Sequence, residues 1–170
     1  MVTIRQISAP EPGLLPQLAD LLMDAVHQGA SISFLAPLSA ERAEAYWTPL
    51  LASLGPAQAL WVAEEGGKVL GSVQLAQGQK ENGRHRGEIQ KLLVTSLARG
   101  MGISTRLMEA AEAYARAQGL TLLLLDTQTG SKAEGIYMHW GWRKAGEIPD
   151  FAASPDGVLH PTSYFSKRLD

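Results

Sequence analysis

Hydrophobic and polar positions recur along the chain with periods of 2 and 3.6 residues, which predict strands and helices respectively. Most of these segments are bounded by glycine, proline or a capping serine, as expected at turns and helix ends. The predicted elements, in order, are a strand at 2–7, a helix from Leu14 to Gly29, a helix beginning at Ser39, strands at 60–65, 68–76 and 86–94, a helix from Ile103 to Gly119, a strand at 120–126, a short helix from Ser131 to Tyr137, and strands at 140–146 and 163–169.

Two of these segments carry additional information about the sheet. The pair Gly66-Gly67 is a typical two-residue hairpin turn between the strands at 60–65 and 68–76. The segment LTLLLLD, residues 120–126, is almost continuously apolar. Such a run predicts a strand that is buried on both faces, lies centrally in the sheet and is covered by helices.

Length and composition then restrict the class of protein. The 170 residues, 45% of them hydrophobic, suit one domain over 1–170 with a sizeable core. A net charge of -2 predicts no nucleic-acid or membrane partner. The absence of cysteine excludes disulfides and thiolate metal sites, and the four histidines have no ligand-like spacing, so we expect no metal. With no apolar run of eighteen residues and no signal-peptide pattern, we expect a cytoplasmic location.

The segment LARGMGIST, residues 97–105, is the candidate ligand-binding turn. Unpaired N–H groups at the start of a helix attract anions, and glycines such as Gly100 and Gly102 let a phosphate approach them closely. The spacing of a Walker loop is absent. Thr105 occupies the third glycine position of the dinucleotide-binding motif, although Asp126 could imitate its ribose-binding acid, so a dinucleotide-dependent oxidoreductase stays an alternative.

The wider segment VTSLARGMGIS, residues 94–104, resembles motif A of the GNAT superfamily of N-acetyltransferases, whose pattern is Gln/Arg-x-x-Gly-x-Gly/Ala. Arg99 and Gly102 match this pattern, whereas Ser104 stands where glycine or alanine is usual. The order of elements resembles the superfamily over essentially the whole chain. The resemblance implies an α/β (α+β) fold with a central mixed, mostly antiparallel twisted sheet flanked by helices, in which two strands splay apart at the coenzyme cleft.

A narrower resemblance concerns the tabtoxin-resistance members of this superfamily, which acetylate an amino group of a toxin. The superfamily resemblance implies acetyl-CoA as co-substrate and a primary amine as acceptor. The narrower resemblance implies a small-molecule acceptor of the amino-acid-like or β-lactam toxin class. A non-catalytic acyl-CoA sensor is a second alternative, and the sequence leaves open whether the chain forms a homodimer. The segments that carry the narrower resemblance are 27–38, 88–104, 122–137 and 155–165.

Acyl transfer to an amine requires a group that accepts the ammonium proton and a donor for the departing thiolate. Glu88 is the candidate base and Asp126 the candidate ammonium anchor, with exchange of the two roles left open. Period-2 geometry puts Glu88 on one strand face with Gln90, Leu92 and Val94. The resemblance implies that Tyr137 is the proton donor, although a packed aromatic is an equally reasonable interpretation.

The remaining site assignments follow from the resemblance. Main-chain groups at 92–94 are expected to bind the pantetheine arm. Ser131 matches a position where the family often has an asparagine that contacts the pantetheine. Ser131 also suits a helix cap. Loops at 27–38 and 148–162 are expected to be irregular and to cover the acceptor end of the cleft. The expected coenzyme-binding residues are Leu92, Leu93, Val94, Arg99, Gly100, Met101, Gly102, Ile103, Ser104, Thr105 and Ser131, and the candidate acceptor contacts are Phe34, Trp47, Phe151 and Tyr164.

Overall fold

The computed structural model describes all 170 residues and contains every element that the sequence predicts. None of its helices is both long and apolar enough to cross a membrane. The elements are β1 (Thr3–Ile7), α1 (Leu14–His27), α2 (Ala40–Ala52), β2 (Gln58–Glu65), β3 (Lys68–Gln77), β4 (Arg86–Val94), α3 (Ile103–Ala117), β5 (Leu122–Gln128), α4 (Lys132–His139), β6 (Arg143–Ala153) and β7 (Leu159–Arg168).

The seven strands form one sheet in the order β1-β2-β3-β4-β5-β7-β6. Only β4 and β5 run parallel, and all other neighbours are antiparallel. One hydrophobic cluster lies between α1, α2 and one face of the sheet, and a second lies under α3 and α4 on the other face. The predicted mixed, mostly antiparallel fold is therefore confirmed, whereas the parallel doubly wound sheet of dinucleotide-binding enzymes is absent.

The expectation that β5 is buried on both faces is wrong. Leu123 and Leu125 are buried on the α3 side, but Leu122 and Leu124 are only half-buried and Asp126 is exposed. The strand does lie inside the sheet, between β4 and β7. Its second face has no helix over it because α1 and α2 cover the other half of the sheet. The run of leucines thus forms a strand with one face buried in the core and the other face bordering a cleft.

The segment 148–162, expected to be an irregular loop, is instead mostly part of the β6–β7 hairpin. β6 continues to Ala153 and β7 begins at Leu159, so that only five residues connect the strands. The ladder contains register shifts between Lys144 and Gly146 and between Ile148 and Ala152, and the second shift includes Pro149. Pro155 and Gly157 lie in the connection between the strands. The proline and glycine residues thus marked a bulge and a short turn, and not a long loop.

Gly71 on β3 allows α3 to pack closely against the sheet. A Cβ atom at this position would lie 2.7 Å from the carbonyl oxygen of Leu93 and 3.1 Å from Cδ1 of Leu107. A real Cβ does not tolerate the first distance, so the backbone of β4 would have to move. The glycine therefore helps to set the position of α3, whose first residues form the candidate turn.

We expect Gly71→Ala to lower the Tm by about 3 to 10 °C, because overpacking at such a site costs about 1 to 3 kcal/mol. The matched control is Gly146→Ala on β6, where an added Cβ meets no atom within 4 Å. Thermal unfolding followed by circular dichroism measures both changes. A Gly71→Ala protein as stable as Gly146→Ala would contradict this role of Gly71.

Glu134 fixes α4 to the sheet through a buried network. Its carboxylate accepts hydrogen bonds from the Gly130 N–H at 2.6 Å, the Ser163 hydroxyl at 2.8 Å and Lys144 Nζ at 2.9 Å. Ser131 caps the helix as predicted by accepting from the Glu134 N–H, but the reciprocal bond of a capping box goes to Gly130. Lys144, followed by the Gly130 and Ser163 bonds, lowers the pKa of Glu134 to about 2. The network orients the helix that carries Tyr137.

The depressed pKa of Glu134 predicts a specific acid sensitivity. Its contribution to stability is complete above the unfolded pKa of 4.5 and is lost as the pH falls toward about 2. The Tm of Glu134→Gln should therefore fall less than that of the parent protein between these pH values. Glu147→Gln is the control, since Glu147 also pairs with Lys144 but is exposed. Parallel pH profiles for parent and Glu134→Gln would contradict the assignment.

Candidate active site

β4 and β5 pair only at their beginnings and then separate. Their ladder consists of three residue pairs, Arg86–Glu88 with Leu122–Leu124. Beyond Glu88, β4 stays paired with β3 and β5 stays paired with β7, so the two facing backbone edges have no strand partner. A cleft of about 590 Å³ occupies the opening. The predicted splayed strand pair is present.

Glu88 and Asp126 lie on the same face of the sheet at this opening. Glu88 is paired directly with Leu124, and Asp126 follows Leu124 by two residues, so period-2 geometry turns all three side chains to one side. Both carboxylates line the cleft. The topology therefore brings together two acidic groups that are 38 positions apart in the sequence.

The two carboxylates differ in their hydrogen bonding. Asp126 Oδ2 accepts a bond of 2.9 Å from the hydroxyl of Thr162 on β7, which also donates to the Thr127 carbonyl oxygen at 3.0 Å. Thr162 is buried and lines the same cleft. Glu88 is exposed and has no hydrogen bond or ion pair with another protein group. Asp126 is thus held in place by Thr162, whereas the Glu88 carboxylate is not held by any protein group.

A bulge in β4 contradicts the prediction that Glu88, Gln90, Leu92 and Val94 share one face. The register with β3 shifts between Ser72 and Gln74, where two β4 residues oppose one β3 residue. Before the bulge, Ile89 packs into the α3 cluster; after it, Leu92 and Val94 do so. Glu88 and Gln90 face the side of α1 and α2 instead.

The candidate turn presents a row of unpaired backbone donors. Gly100 and Gly102 adopt positive φ angles of 81° and 71°, which a residue with a side chain adopts only with strain. No N–H group from Gly100 to Thr105 donates a hydrogen bond within the protein, and Gly102 caps α3 without a side-chain bond. Arg99 is exposed next to this row. The arrangement suits an anion at the positive end of the helix dipole.

The segment before the turn is held by α1. The carboxylate of Asp24 accepts from the backbone N–H of Ser96 at 2.7 Å and from its hydroxyl at 2.8 Å. Because the acceptor is a carboxylate and the position is partly buried, these bonds are stronger than hydrogen bonds between neutral groups. They fix the 3₁₀ turn Ser96–Ala98 and so the direction from which the chain enters the glycine turn.

Tyr137 and Ser131 lie on α4 and line the cleft from the β5 side. The Tyr137 ring is buried against Trp140, Trp142 and Phe165, while its hydroxyl has no partner within the protein and is not enclosed. Burial, followed by the negative charge of Asp126, raises the pKa of Tyr137 to about 12. The phenol is therefore protonated at neutral pH and available as a donor. The ring of Tyr137 is a packed aromatic, which is one of the two interpretations of this residue. Its role as a donor in the reaction stays a prediction.

Some of the residues expected to contact the acceptor line the cleft, and others do not. Gly29–Ser33 of the predicted 27–38 loop line the cleft, as does Phe151. Trp47 is completely buried in the α1–α2 cluster and does not reach the cleft. Phe34 packs edge-on against Tyr46, and Tyr164 packs edge-on against Phe151; neither lines the cleft.

Sequence reasoning did not single out several cleft residues, among them Tyr46, Lys91 and Thr162. Tyr46 lies on α2 in an apolar stretch typical of a core, and Thr162 lies in the segment expected to be a loop. Strict alternation along β4 would turn Lys91 away from Glu88, and nothing in the sequence indicated the bulge. The structure contains no cluster of His, Asp and Glu side chains suited to a metal ion. That the protein needs no metal stays a prediction.

Comparisons with known proteins agree with this geometry. Residues 21–142 match the acetyltransferase (GNAT) family. An uncharacterized N-acetyltransferase of Azospirillum brasilense is 33% identical over 129 residues, which cover 75% of this chain and 76% of that protein. Rat and mouse N-acetyltransferases also match, but the chain spans only about 40% of their length.

Solved structures share the fold over the full chain. The N-acetyltransferase from Staphylococcus aureus Mu50 superposes with a TM-score of 0.82 at 18% identity, covering 100% of this chain and 99% of that one. A putative acetyltransferase from Salmonella typhimurium, solved with its cofactor acetyl-CoA, has a TM-score of 0.79 at 17% identity, covering 99% and 94%. From the family match and the sequence relative together, the chain belongs to the GNAT family of acetyltransferases, enzymes that use acetyl-CoA to acetylate an acceptor substrate.

Proposed function

We propose that this chain transfers the acetyl group of acetyl-CoA to a primary amine of a small molecule, by direct attack while both substrates are bound. The observation that carries the proposal is the presence of Glu88 and Asp126 on one face of two separating strands, in a cleft shared with Tyr137. A cleft of about 590 Å³ is in the range of small-molecule sites. Residues 1–170 act as one acetyltransferase domain in this proposal.

Two features fit the coenzyme. The unpaired N–H groups from Gly100 to Thr105 are suited to its pyrophosphate, with Arg99 as an additional cationic donor. The free β4 edge at Leu92–Val94 is suited to its pantetheine arm, which would add to the sheet as an extended strand does. Ser131, which already caps α4, lies on the β5 side of the same opening. The coenzyme supplies an acetyl group activated as a thioester.

The different surroundings of the two carboxylates support Glu88 as the base. The hydrogen bond from Thr162 fixes the orientation of the Asp126 carboxylate, which is therefore suited to hold an ammonium group. Glu88 has no such partner, and its exposed carboxylate can take the proton that the amine must lose before or during its attack. The amine nitrogen then forms its bond to the acetyl carbon while the carbon–sulfur bond breaks.

Tyr137 is suited to stabilise the departing thiolate. With a pKa of about 12, its hydroxyl is a neutral hydrogen-bond donor throughout the physiological range. The same high pKa makes complete proton transfer to a thiolate unfavourable, since a thiol is the stronger acid at about 8.5. We therefore assign Tyr137 the role of a hydrogen-bond donor to the sulfur, with the proton of the thiol coming finally from solvent.

The toxin-like acceptor belongs to the same proposal. The support for it is the four-segment resemblance to tabtoxin-resistance enzymes, in which the loop 27–38 takes part, and this loop lines the cleft at Gly29–Ser33. Amino-acid-like and β-lactam antimetabolites with a free amino group are accordingly the first acceptors to examine.

The proposal is tested by incubating the protein with acetyl-CoA, a broad panel of small amines and a thiol reagent. We expect thiol release that depends on the amine, with the N-acetylated amine identified by mass spectrometry. Coenzyme binding, seen as an increase in Tm, with no turnover of any amine would instead favour a non-catalytic acyl-CoA sensor.

Glu88→Gln should lower kcat/KM for the amine by about 100-fold or more, the usual contribution of a general base, with the Kd for coenzyme changed less than about twofold. The comparison variant is Asp126→Asn, which should act mainly by raising KM for the amine. Steady-state rates over a range of pH and calorimetric titration with coenzyme separate these effects. Equal activity of parent and Glu88→Gln at every pH would remove Glu88 from the mechanism.

Gly102→Val should raise the Kd for coenzyme at least about tenfold, because the new side chain would occupy the space beside the free N–H groups. Gly119→Val is the matched control, since Gly119 has nearly the same φ, 74° against 71°, and equally open surroundings at the other end of α3. Both variants carry similar backbone strain, and only the first should weaken binding in a titration. Equal losses in the two would refute a phosphate site at this turn.

A further inference from the structure

The charged side chain of Lys91 lies in the cleft but takes no part in the mechanism described above. Lys91 is the only lysine or arginine among the residues that line the cleft. The proposed mechanism uses two carboxylates and a phenol, and none of its steps needs a cation on the acceptor side. A half-buried ammonium group is costly unless it is paired, so its presence requires an explanation.

The backbone is strained at the point where this lysine enters the cleft. Lys91 has a φ of 48°, in the left-handed region that is unfavourable for a residue with a side chain. It belongs to the β4 bulge, where the hydroxyl of Ser72 donates to its carbonyl oxygen at 3.0 Å. The bulge turns Lys91 to the side of α2, the same face as Glu88 and Gln90. Such strain is typical of positions that serve function.

The ammonium group of Lys91 is surrounded but incompletely paired. Its Nζ lies 3.4 Å from the Ser33 hydroxyl and 5.1 Å from the centroid of the Tyr46 ring. None of the ion pairs in the protein includes it. Since a lysine ammonium has three donors, at least two have no strong protein acceptor. Burial lowers the pKa of Lys91, and the negative charges of Asp126 and Glu88 raise it by a smaller amount.

We propose that Lys91 binds an anionic group of the acceptor, so that the enzyme prefers amines that also carry a carboxylate or a similar oxyanion. The cleft would then match both charges of a zwitterion, with the ammonium directed to Glu88 and Asp126 and the anion to Lys91. An amine without the anion leaves the half-buried lysine unpaired, and an enzyme site rejects an analogue most strongly when a polar group of the site is left without its partner. This inference rests on the proposed function, because it names the substrate class of the same cleft.

The experiment compares α-, β- and γ-amino acids, each paired with its own amide, which keeps the amine and skeleton and removes the negative charge. Amine-dependent thiol release gives kcat/KM for both members of each pair. The parent protein should prefer the acid of its best pair by at least about tenfold, the effect of one charge-assisted hydrogen bond. Lys91→Met should reduce this ratio toward one, mainly through KM for the acid.

Two further variants separate selectivity from folding. Lys68→Met makes the same replacement on the exposed β2–β3 hairpin and should prefer acids over amides as strongly as the parent does. Lys91→Asn removes the charge but introduces a residue that tolerates the left-handed conformation. It should therefore lose the preference for acids without a decrease in Tm.

The inference is overturned if the parent does not distinguish acids from amides, or if Lys91→Met keeps the preference. It is also overturned if incubation with acetyl-CoA alone acetylates Lys91 itself, as seen by mass spectrometry, because the ammonium would then be a reacting group. Each of these results leaves an acetyltransferase in place. Failure of every amine, acid or amide, to release thiol would instead defeat the proposed function together with this inference.

Discussion

The early loss of pairing between β4 and β5 is the constraint on which the rest of the site depends. Two strands that share only three residue pairs leave two backbone edges exposed inside a sheet, where such edges are normally covered. The fold tolerates this because β3 and β7 hold the outer edges of the two strands along their length. The opening is therefore held in shape by the neighbouring strands. Its free backbone N–H and C=O groups can pair with a ligand that carries amide groups.

The acidic and basic groups of the cleft follow from the same separation. Parallel pairing at Glu88 sets the face on which Asp126 emerges from β5, and the bulge in β4 brings Lys91 to that face as well. Thr162 reaches Asp126 from β7, a strand that comes last in the chain but lies beside β5 in the sheet. Charged groups from β4 and β5 and a hydroxyl group from β7 thus meet at one opening, although only Glu88 and Lys91 are close in sequence.

Local patterns in the sequence were sufficient for the elements and for the turn at Gly100–Gly102, because strand alternation, helix spacing and glycine position are encoded within a few residues. They placed Glu88, Asp126 and Tyr137 in one cleft only together with the family resemblance, and the roles of these residues stay predictions. Features that arise from pairing between distant segments were not predictable. The long β6–β7 hairpin, the half-open face of β5 and the hydrogen bond from Thr162 to Asp126 all belong to this kind.

The extra residue in β4 is dispensable to the hydrophobic core. Without Lys91, Leu92 alone would oppose Val73, and strict alternation would keep Leu92 and Val94 on the α3 side and Leu93 on the α1 side. A single-codon deletion of Lys91 would therefore straighten the strand and preserve the apolar contacts on both of its faces. What the deletion would remove is the one lysine of the cleft, so the bulge contributes to the site and not to the core.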